Sequence, residues 1–238
     1  MSAYRFLPFS SEDILKLLPF QSSNSGESCA IIEDNNSFKT SLLFQAALSI
    51  ASAGDLVFFI CPRPLEQRPY HVLGMPETSP LALQCIKMVY IENPSGLLRY
   101  LCEFHTKESV PAAIAIDDIQ YYVSHLSNED QNKEAALVKL LAILEDTTAF
   151  ISQKKGEACH RIVSATKGAC PKNFLKRYFR ELWYISSGEK EGVQDTIRHQ
   201  TLEVCDLSDD IFLTLFLFIA SSMVALYDYN NPRYVVFL

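Results

Sequence analysis

The stretch CAIIEDNNSFKTSLLFQAALSIA, residues 29–51, decides which fold this chain is expected to adopt. It opens with an apolar run typical of a buried β-strand and ends in a segment typical of a helix. Between the two lies EDNNSFKT, residues 33–40, which has the frame of a phosphate-binding loop but none of its glycines. The residue types within this loop determine whether a phosphate group can bind there.

A phosphate-binding loop reads G-x-x-x-x-G-K-[ST], and its glycines let backbone N–H groups close around phosphate oxygens. Lys39 and Thr40 stand at the lysine and hydroxyl positions, directly before the helix. Glu33 and Phe38 replace the two glycines, and Asp34 adds a second carboxylate. Two carboxylates repel a triphosphate, and a ring at residue 38 obstructs close approach of the backbone.

The two asparagines at residues 35 and 36 reduce the backbone problem, because asparagine tolerates positive φ. The loop is therefore interpreted as the remnant of a phosphate loop. The alternative is an ordinary surface lysine at the start of a helix.

A second element supports the first interpretation. The run AAIAIDD, residues 112–118, is an apolar strand that ends in Asp117 and Asp118. In P-loop nucleotide hydrolases an aspartate at such a strand end helps to hold Mg²⁺. Asp117 is the candidate metal residue, together with the hydroxyl of Thr40. Alternatively, the two aspartates are solvated carboxylates that close a strand.

No catalytic residue is predicted for ATP hydrolysis. The reaction needs a base or a water-orienting residue, commonly glutamate, near the γ-phosphate. After the second strand the sequence reads FFICPRPLEQRP, residues 58–69, and the nearest side chain is that of Arg63. Arginine can hold a phosphate but cannot act as a base. Glu66 is expected to need a loop rearrangement to reach the site, unless the segment is simply a proline-rich surface turn.

The remaining elements keep alternating between strands and helices. Ser95 is a candidate N-cap, and the clearest helix spans residues 132–153. Strands are expected at residues 55–61, 86–91, 112–118, 160–166 and 181–186. Alternating strands and helices predict an α/β protein with a mainly parallel sheet and helices on both faces.

Composition narrows the class of protein. The 238 residues are 48% apolar and 21% charged, as expected for one globular core, and the net charge of −7 argues against a protein that coats nucleic acid with its whole surface. The seven cysteines form no CxxC pair, and Cys159, His160 and Cys170 fit no common zinc spacing. Free thiols in a reducing compartment and no structural metal are therefore expected.

The segment IFLTLFLFIASSMVAL, residues 211–226, carries no charge. It is shorter than the roughly 20 residues that a membrane helix needs. A buried helix or a pair of strands is the favoured interpretation. The alternatives are a short tail anchor and a segment that does not belong to the domain. The first 20 residues lack the basic region and cleavage site of a signal peptide, and no membrane is expected.

Positive charge is concentrated in one window of this acidic chain. Residues 154–180 hold eight cations and a single acid, Glu157. Phe174, Tyr178 and Phe179 lie among these cations, a mixture that suits single-stranded nucleic acid because phosphates meet cations while bases stack on rings. The alternative is an amphipathic helix whose aromatic side chains point inward. The cations are Lys154, Lys155, Arg161, Lys167, Lys172, Lys176, Arg177 and Arg180.

Together these residues resemble the RecA-like recombinase paralogues of the Shu complex. The resemblance spans residues 31–185 and lies in the order and spacing of FKTSLLFQAAL, VFFICPRPL, GLLRYLCEFH, AIAIDDIQYY, KEAALVKLLAILEDTTAFIS and LKRYF. It implies a RecA-like P-loop fold at residues 28–206, after an N-terminal extension (1–27) and before an atypical apolar tail (207–238).

The resemblance also implies a function: a nuclear DNA-repair protein that pairs with a SWIM-type zinc-finger partner. Such a pair supports recombinase filaments on single-stranded DNA during homologous recombination, notably in meiosis. Lys39 and Thr40 would be nucleotide-loop residues and Asp117 the Mg²⁺ residue, with Mg-ATP bound weakly or not at all. The DNA-binding residues would be Lys167, Lys172, Lys176, Arg177 and Arg180.

Two alternatives remain open at this point. The chain could be an active DNA-stimulated ATPase of the same complex. It could also be a RecA-like subunit of another assembly, such as Elongator, with tRNA as its ligand.

Overall fold

The structure, a computed structural model, describes residues 28–33, 38–72, 78–130, 132–187, 198–205, 211–220 and 223–228. The predicted extension at residues 1–27, loop residues 34–37 and the last ten residues of the predicted tail lie outside this range.

Strands and helices alternate along most of the described chain. The strands are β1 (Ser28–Glu33), β2 (Val57–Cys61), β3 (His71–Val72), β4 (Ile86–Tyr90), β5 (Ala113–Ile116), β6 (His160–Thr166), β7 (Glu181–Ser187), β8 (Arg198–Cys205), β9 (Ile211–Ala220) and β10 (Met223–Asp228). The helices are α1 (Phe38–Ala51), α2 (Pro80–Gln84), α3 (Pro94–Cys102), α4 (Ile119–Asp130), α5 (Lys133–Lys155) and α6 (Lys172–Tyr178), with a short 3₁₀ helix at Glu103–Thr106.

All these strands form a single sheet in the order β3-β10-β9-β8-β7-β1-β6-β5-β2-β4. The six strands from β7 to β4 pair in parallel, which confirms the predicted α/β class and the mainly parallel sheet. β8, β9 and β10 continue the sheet as antiparallel strands. The uncharged segment at residues 211–226 therefore forms a pair of strands rather than a helix.

Two apolar layers cover the parallel part of the sheet. Successive strand residues point to opposite faces, so Cys29 and Ile31 of β1 join one cluster, while Ala30 and Ile32 join the other. The first cluster is closed by α1, and the second by α3, α4, α5 and α6. Because both faces are covered, the central strands β2 and β5 consist entirely of apolar residues.

Helix α3 begins earlier than the sequence indicates. Ser95 is predicted as its N-cap, but the side chain of Asn93 accepts hydrogen bonds from the N–H groups of Ser95 and Gly96. The prediction is wrong because Pro94 occupies the first helical position. Proline suits that position, since the N–H group that it lacks would have no helical acceptor there.

The parallel strands bring their carboxyl ends together at one edge of the sheet. Glu33, the last residue of β1, lies opposite Thr166, the last residue of β6. Cys61 ends β2, and Asp117 follows β5 directly. Open parallel sheets bind ligands at this edge, so the topology places these residues in a common site.

No helix in the described ranges is long and apolar enough to cross a membrane. The longest, α5, buries one face in the second core cluster and starts at an asparagine cap. The side chain of Asn132 accepts hydrogen bonds from the N–H groups of Glu134 and Ala135, at 3.0 and 3.1 Å. The helix ends at Gly156, whose φ of 76° suits glycine.

We expect Asn132→Ala to lower the free energy of unfolding by about 1 kcal/mol, because it removes a side-chain cap from two N–H groups. Chemical denaturation of the two proteins measures the difference. Asn132→Asp keeps an acceptor at the same position and serves as the control. Equal stability of the alanine and aspartate variants would contradict the role of the cap.

Candidate functional site

A cavity of about 490 Å³ opens at the carboxyl edge of the parallel sheet. Its wall comes from the start of α1, the segment at residues 61–70 that follows β2, the residues after β5, and the end of β6. Lys39, Thr40 and Asp117, the predicted nucleotide and metal residues, all line it. The structure therefore brings the first residues of α1 and the strand-end aspartate into one site.

Thr40 and Asp117 are in direct contact. The hydroxyl of Thr40 donates to the carboxylate of Asp117, with Oγ1 at 3.1 Å from Oδ1 and 3.0 Å from Oδ2. The hydroxyl of Ser164, on β6, also donates to Asp117, and it accepts a hydrogen bond from the N–H of Asp118 at 2.8 Å. Hydroxyl and carboxylate oxygens are the ligands that Mg²⁺ prefers, so this pair could hold the ion.

Asp117 is 5% exposed, and its burial raises the pKa of the carboxyl above the usual value for aspartate. The hydrogen bonds from Ser164 and Thr40 lower the pKa, as does the charge of Lys39, but desolvation is the largest effect. The site thus holds a carboxylate at an electrostatic cost that the surrounding donors offset only in part.

The ammonium group of Lys39 bridges two strand ends. Its Nζ lies 3.2 Å from Oδ1 of Asp118 and donates to Oγ1 of Thr166 at 3.0 Å. Gln120 connects the same two residues. Its side-chain amide donates a hydrogen bond to Asp118, and its Oε1 accepts one from the backbone N–H of Thr166 at 3.0 Å. Asp118 has a φ of 60°, a left-handed conformation that is unusual for a residue other than glycine. Strained backbone of this kind is common at functional sites.

The two residues at the glycine positions behave differently from each other. Phe38 is 2% exposed and packs into the first core cluster, with its ring centroid 6.4 Å from that of Tyr70. Glu33 is also 2% exposed, and its Oε2 accepts the backbone N–H of Lys39 at 2.8 Å. The carboxylate of Glu33 therefore lies at the backbone of the first turn of α1, whereas the ring of Phe38 is buried in the core. Asp34, Asn35 and Asn36 lie outside the described residues.

The segment after β2 brings both Arg63 and Glu66 into the cavity wall. The sequence predicts that Arg63 lies nearest the site and that Glu66 reaches it only after a loop rearrangement. In the structure both residues line the cavity, because residues 61–70 form part of its wall. The guanidinium carbon of Arg63 lies 5.9 Å from the centre of the Tyr121 ring, within cation–π range.

The aromatic residues of the basic window face the core. Tyr178 and Phe179 are 7% and 1% exposed, and Phe174 packs against the second core cluster. The burial of Tyr178 and Phe179 favours the alternative of an amphipathic helix whose aromatic side chains point inward, whereas Phe174 is only partly buried. Arg161 is also structural, because its guanidinium is bound to Glu145 at 2.9 Å and to the carbonyl of Tyr178 at 2.8 Å.

Of the other cations of the window, Lys154 and Lys155 end helix α5, and the rest lie on helix α6 or close to it in the chain. Lys172, Arg177 and Arg180 are exposed, and Lys176 is half-buried. Lys167 begins the turn after β6, and its N–H donates to the carbonyl of Glu33 at 2.8 Å. The basic segment therefore starts at the edge of the cavity.

Among the described residues, no group of three His, Cys, Asp or Glu side chains is arranged to hold a metal ion. Burial raises the pKa of the Cys159 and Cys170 thiols to about 12, which opposes the thiolate form that a metal requires.

The sheet order and the position of the cavity define a protein with a RecA-like α/β fold. A KaiC-like protein from Pyrococcus horikoshii matches 85% of this chain and 90% of its own, with a TM-score of 0.56 and 14% identity. The RadB recombinase matches 84% of this chain and 91% of its own, with a TM-score of 0.55 and 14% identity. These likenesses confirm the predicted fold.

In sequence, the chain is similar to ATPase SWSAP1. It is 33% identical to the human protein over 135 residues, which is 56% of this chain and 56% of that protein. It is 30% identical to the mouse protein over 176 residues, or 68% of this chain and 59% of that protein. The match thus spans little more than half of each curated relative. No protein-family model matches the chain. The resemblance predicted from the sequence is confirmed at the level of a SWSAP1-like protein.

Sequence reasoning missed several residues of this site. Gln120, Ser164 and Thr166 carry no motif of their own. The pairing of β6 with β1 and β5 brings Ser164 to Asp117 and Thr166 to Lys39, while Gln120 reaches Thr166 from the first turn of α4. The one available signal is the polar pair in SAT, residues 164–166, at the end of an otherwise apolar strand.

We expect Asp117→Asn to raise the free energy of unfolding at neutral pH, on the order of 1 kcal/mol, because it removes a desolvated charge. Burial raises the pKa of Asp117 above its unfolded value, so between the two pKa values the folded chain binds more protons than the unfolded chain. The contribution of Asp117 to stability is therefore greatest below the unfolded pKa and is lost as the pH rises through the folded pKa.

Chemical denaturation of both proteins between pH 4 and pH 8 measures this effect. The asparagine variant should gain most over the wild type at the upper end of the range. Asp146→Asn, on helix α5, is the control for the loss of one carboxylate. A variant less stable than the wild type at every pH would contradict the role of desolvation.

Proposed function

We propose that this chain is a homologous-recombination accessory protein that binds single-stranded DNA and supports recombinase filaments, with little or no ATP hydrolysis. The observation that carries the proposal is the sequence similarity to ATPase SWSAP1, on a fold shared with the RadB recombinase. A nuclear location and a role in meiosis follow from the same resemblance and are part of the proposal.

The proposed DNA contacts are made by Lys167, Lys172, Lys176, Arg177 and Arg180. These cations come from the turn after β6 and from α6 with the residues that follow it. Since the aromatic side chains of α6 are turned inward, binding depends on phosphate contacts and not on base stacking. Affinity dominated by phosphate contacts falls steeply with salt and shows little preference for sequence.

The proposed loss of ATP turnover rests on the contacts that Lys39 and Thr40 already make. Glu33 accepts the backbone N–H of Lys39, Asp118 lies 3.2 Å from its ammonium, and Asp117 accepts a hydrogen bond from the hydroxyl of Thr40. Thr40 and Asp117 fit a magnesium ion, but the buried carboxylate of Glu33 does not fit a phosphate group beside it.

The proposed partner is a SWIM-type zinc-finger protein in a heterodimer, acting together with a recombinase or its paralogues. Apolar side chains exposed near the β4 edge of the sheet support the need for a partner: Leu81 and Leu83 on α2 are 75% and 43% exposed, and Tyr90 on β4 is 51% exposed. Exposed apolar surface of this kind is typical of protein interfaces. The partner recovered with the full chain from cells tests this part of the proposal.

The second candidate function is an active DNA-stimulated ATPase. Glu66 favours it, because this carboxylate lines the cavity and could orient a water molecule. The direct contact of Thr40 with Asp117 also favours it, since these two residue types hold Mg²⁺ in active enzymes.

Reversing the charge of Lys172, Lys176 and Arg177 to glutamate should weaken binding of a fluorescent oligothymidylate by about tenfold or more. Three lost phosphate contacts should also reduce the slope of log affinity against log salt by about 2. Fluorescence anisotropy over a series of salt concentrations measures both quantities.

The matched control reverses three exposed cations on other helices, Arg99, Lys133 and Lys139, and so makes the same change in net charge. It should leave the salt slope close to that of the wild type. An unchanged slope in the first variant, or an equal loss in both, would remove the basic segment from the proposed interface.

ATP turnover by the full chain, with and without single-stranded DNA, should not exceed the turnover of Lys39→Ala. The reason is that no phosphate chain competes well with the carboxylates at Lys39. Phosphate release, measured against a chain-free blank, provides the test. Turnover that rises with DNA and disappears in Lys39→Ala would establish the ATPase function instead.

A further inference from the structure

The first turn of every α-helix has backbone N–H groups for which the helix itself supplies no carbonyl acceptor, and this holds for α1. In a phosphate-binding loop such groups point at phosphate oxygens. In this chain the N–H of Lys39, the second residue of α1, donates to Oε2 of Glu33 at 2.8 Å. A carboxylate therefore already accepts a hydrogen bond that a phosphate group would need.

Glu33 is fixed in place from both sides. As the last residue of β1 it pairs with Thr166 on β6 and with Ile185 on β7. Its carbonyl also accepts the N–H of Lys167 at 2.8 Å, and the residue as a whole is 2% exposed. Because the backbone is held in the sheet, the carboxylate cannot leave the helix start without moving within a buried environment.

The side chain of Lys39 is engaged in the same way. Its Nζ lies 3.2 Å from Asp118 and 3.0 Å from Thr166, and the side chain is 10% exposed. The protein thus supplies negative charge to Lys39 at two points: Glu33 at its backbone N–H and Asp118 at its ammonium group. An incoming phosphate would have to displace both contacts and would meet like charges at short range.

We propose that Glu33 is an internal anion that occupies the phosphate position at the start of α1, and that this one side chain prevents a triphosphate from binding there. The inference rests on the proposed function, in which the site works without turnover, and it names the residue responsible. This differs from the explanation that triphosphate does not bind because the loop lacks its two glycines. Removal of the Glu33 carboxylate should restore phosphate binding even though Phe38 remains.

The test compares the wild-type full chain with Glu33→Gln and Glu33→Gly, using inorganic tripolyphosphate as the probe in isothermal titration calorimetry. We expect Glu33→Gly to bind at least about tenfold tighter than the wild type. Glu33→Gln should gain less, because its amide oxygen can still accept the N–H of Lys39 although it carries no charge. Lys39→Ala added to Glu33→Gly should abolish the gain.

Glu108→Gln is the matched control, since Glu108 is an exposed residue outside the cavity wall and the change in net charge is the same. Thermal melting checks that each variant is folded, and Glu33→Gln preserves the hydrogen bond at the helix start if the glycine variant is unstable. The proposal is overturned if neither Glu33 variant binds tripolyphosphate more tightly than the wild type. It is equally overturned if Glu108→Gln shows the same gain.

Oligothymidylate binding by the same proteins separates this inference from the proposed function. If the wild type fails to bind DNA while the Glu33 variants gain affinity for tripolyphosphate, the proposed function is wrong and the role of Glu33 stands. If the wild type binds DNA and the Glu33 variants gain nothing, the role of Glu33 is wrong and the proposed function stands.

Discussion

The contacts of Lys39 connect the parts of the molecule on which the site depends. Its backbone N–H is bonded to the end of β1 through Glu33, and its ammonium to the ends of β5 and β6 through Asp118 and Thr166. One residue therefore ties the first turn of α1 to three neighbouring strands. The arrangement is compatible with nucleotide-site ancestry, but the backbone N–H and the ammonium of Lys39 both have partners within the protein.

Electrostatic strain accompanies this arrangement. Asp117 is buried with a raised pKa, and Asp118 has a left-handed backbone conformation. Isolated buried charges are unfavourable, and a core of apolar side chains would be more stable at the same place. Thr40, Ser164 and Lys39 offset the cost only in part. A binding site that retains Asp117 and Asp118 in this environment has been shaped by something other than stability, which is the physical argument for a function or for descent from one.

Much of the fold could be predicted from the sequence, because the covered parallel strands have a distinctive composition. Runs such as residues 57–61 and 113–116 are apolar throughout, and a strand with both faces covered needs this. The site was predictable only where a motif exists, as at Lys39, Thr40 and Asp117. The positions of Ser164 and Thr166 depend on strand pairing, and those of Gln120 on α4 and Tyr178 on α6 depend on how these helices pack. Neither is encoded in local sequence.

The basic segment, residues 167–180, begins directly after strand β6, whose last residue lines the cavity. The contacts that fix this segment differ from those inside the cavity. The turn at Lys167 is fixed by a backbone hydrogen bond to Glu33, and α6 is anchored by the burial of Leu175 and Tyr178 in the second core cluster. Neither contact involves a phosphate group. A chain of this design can therefore lose nucleotide affinity through substitutions at the start of α1 while its cationic surface stays in place.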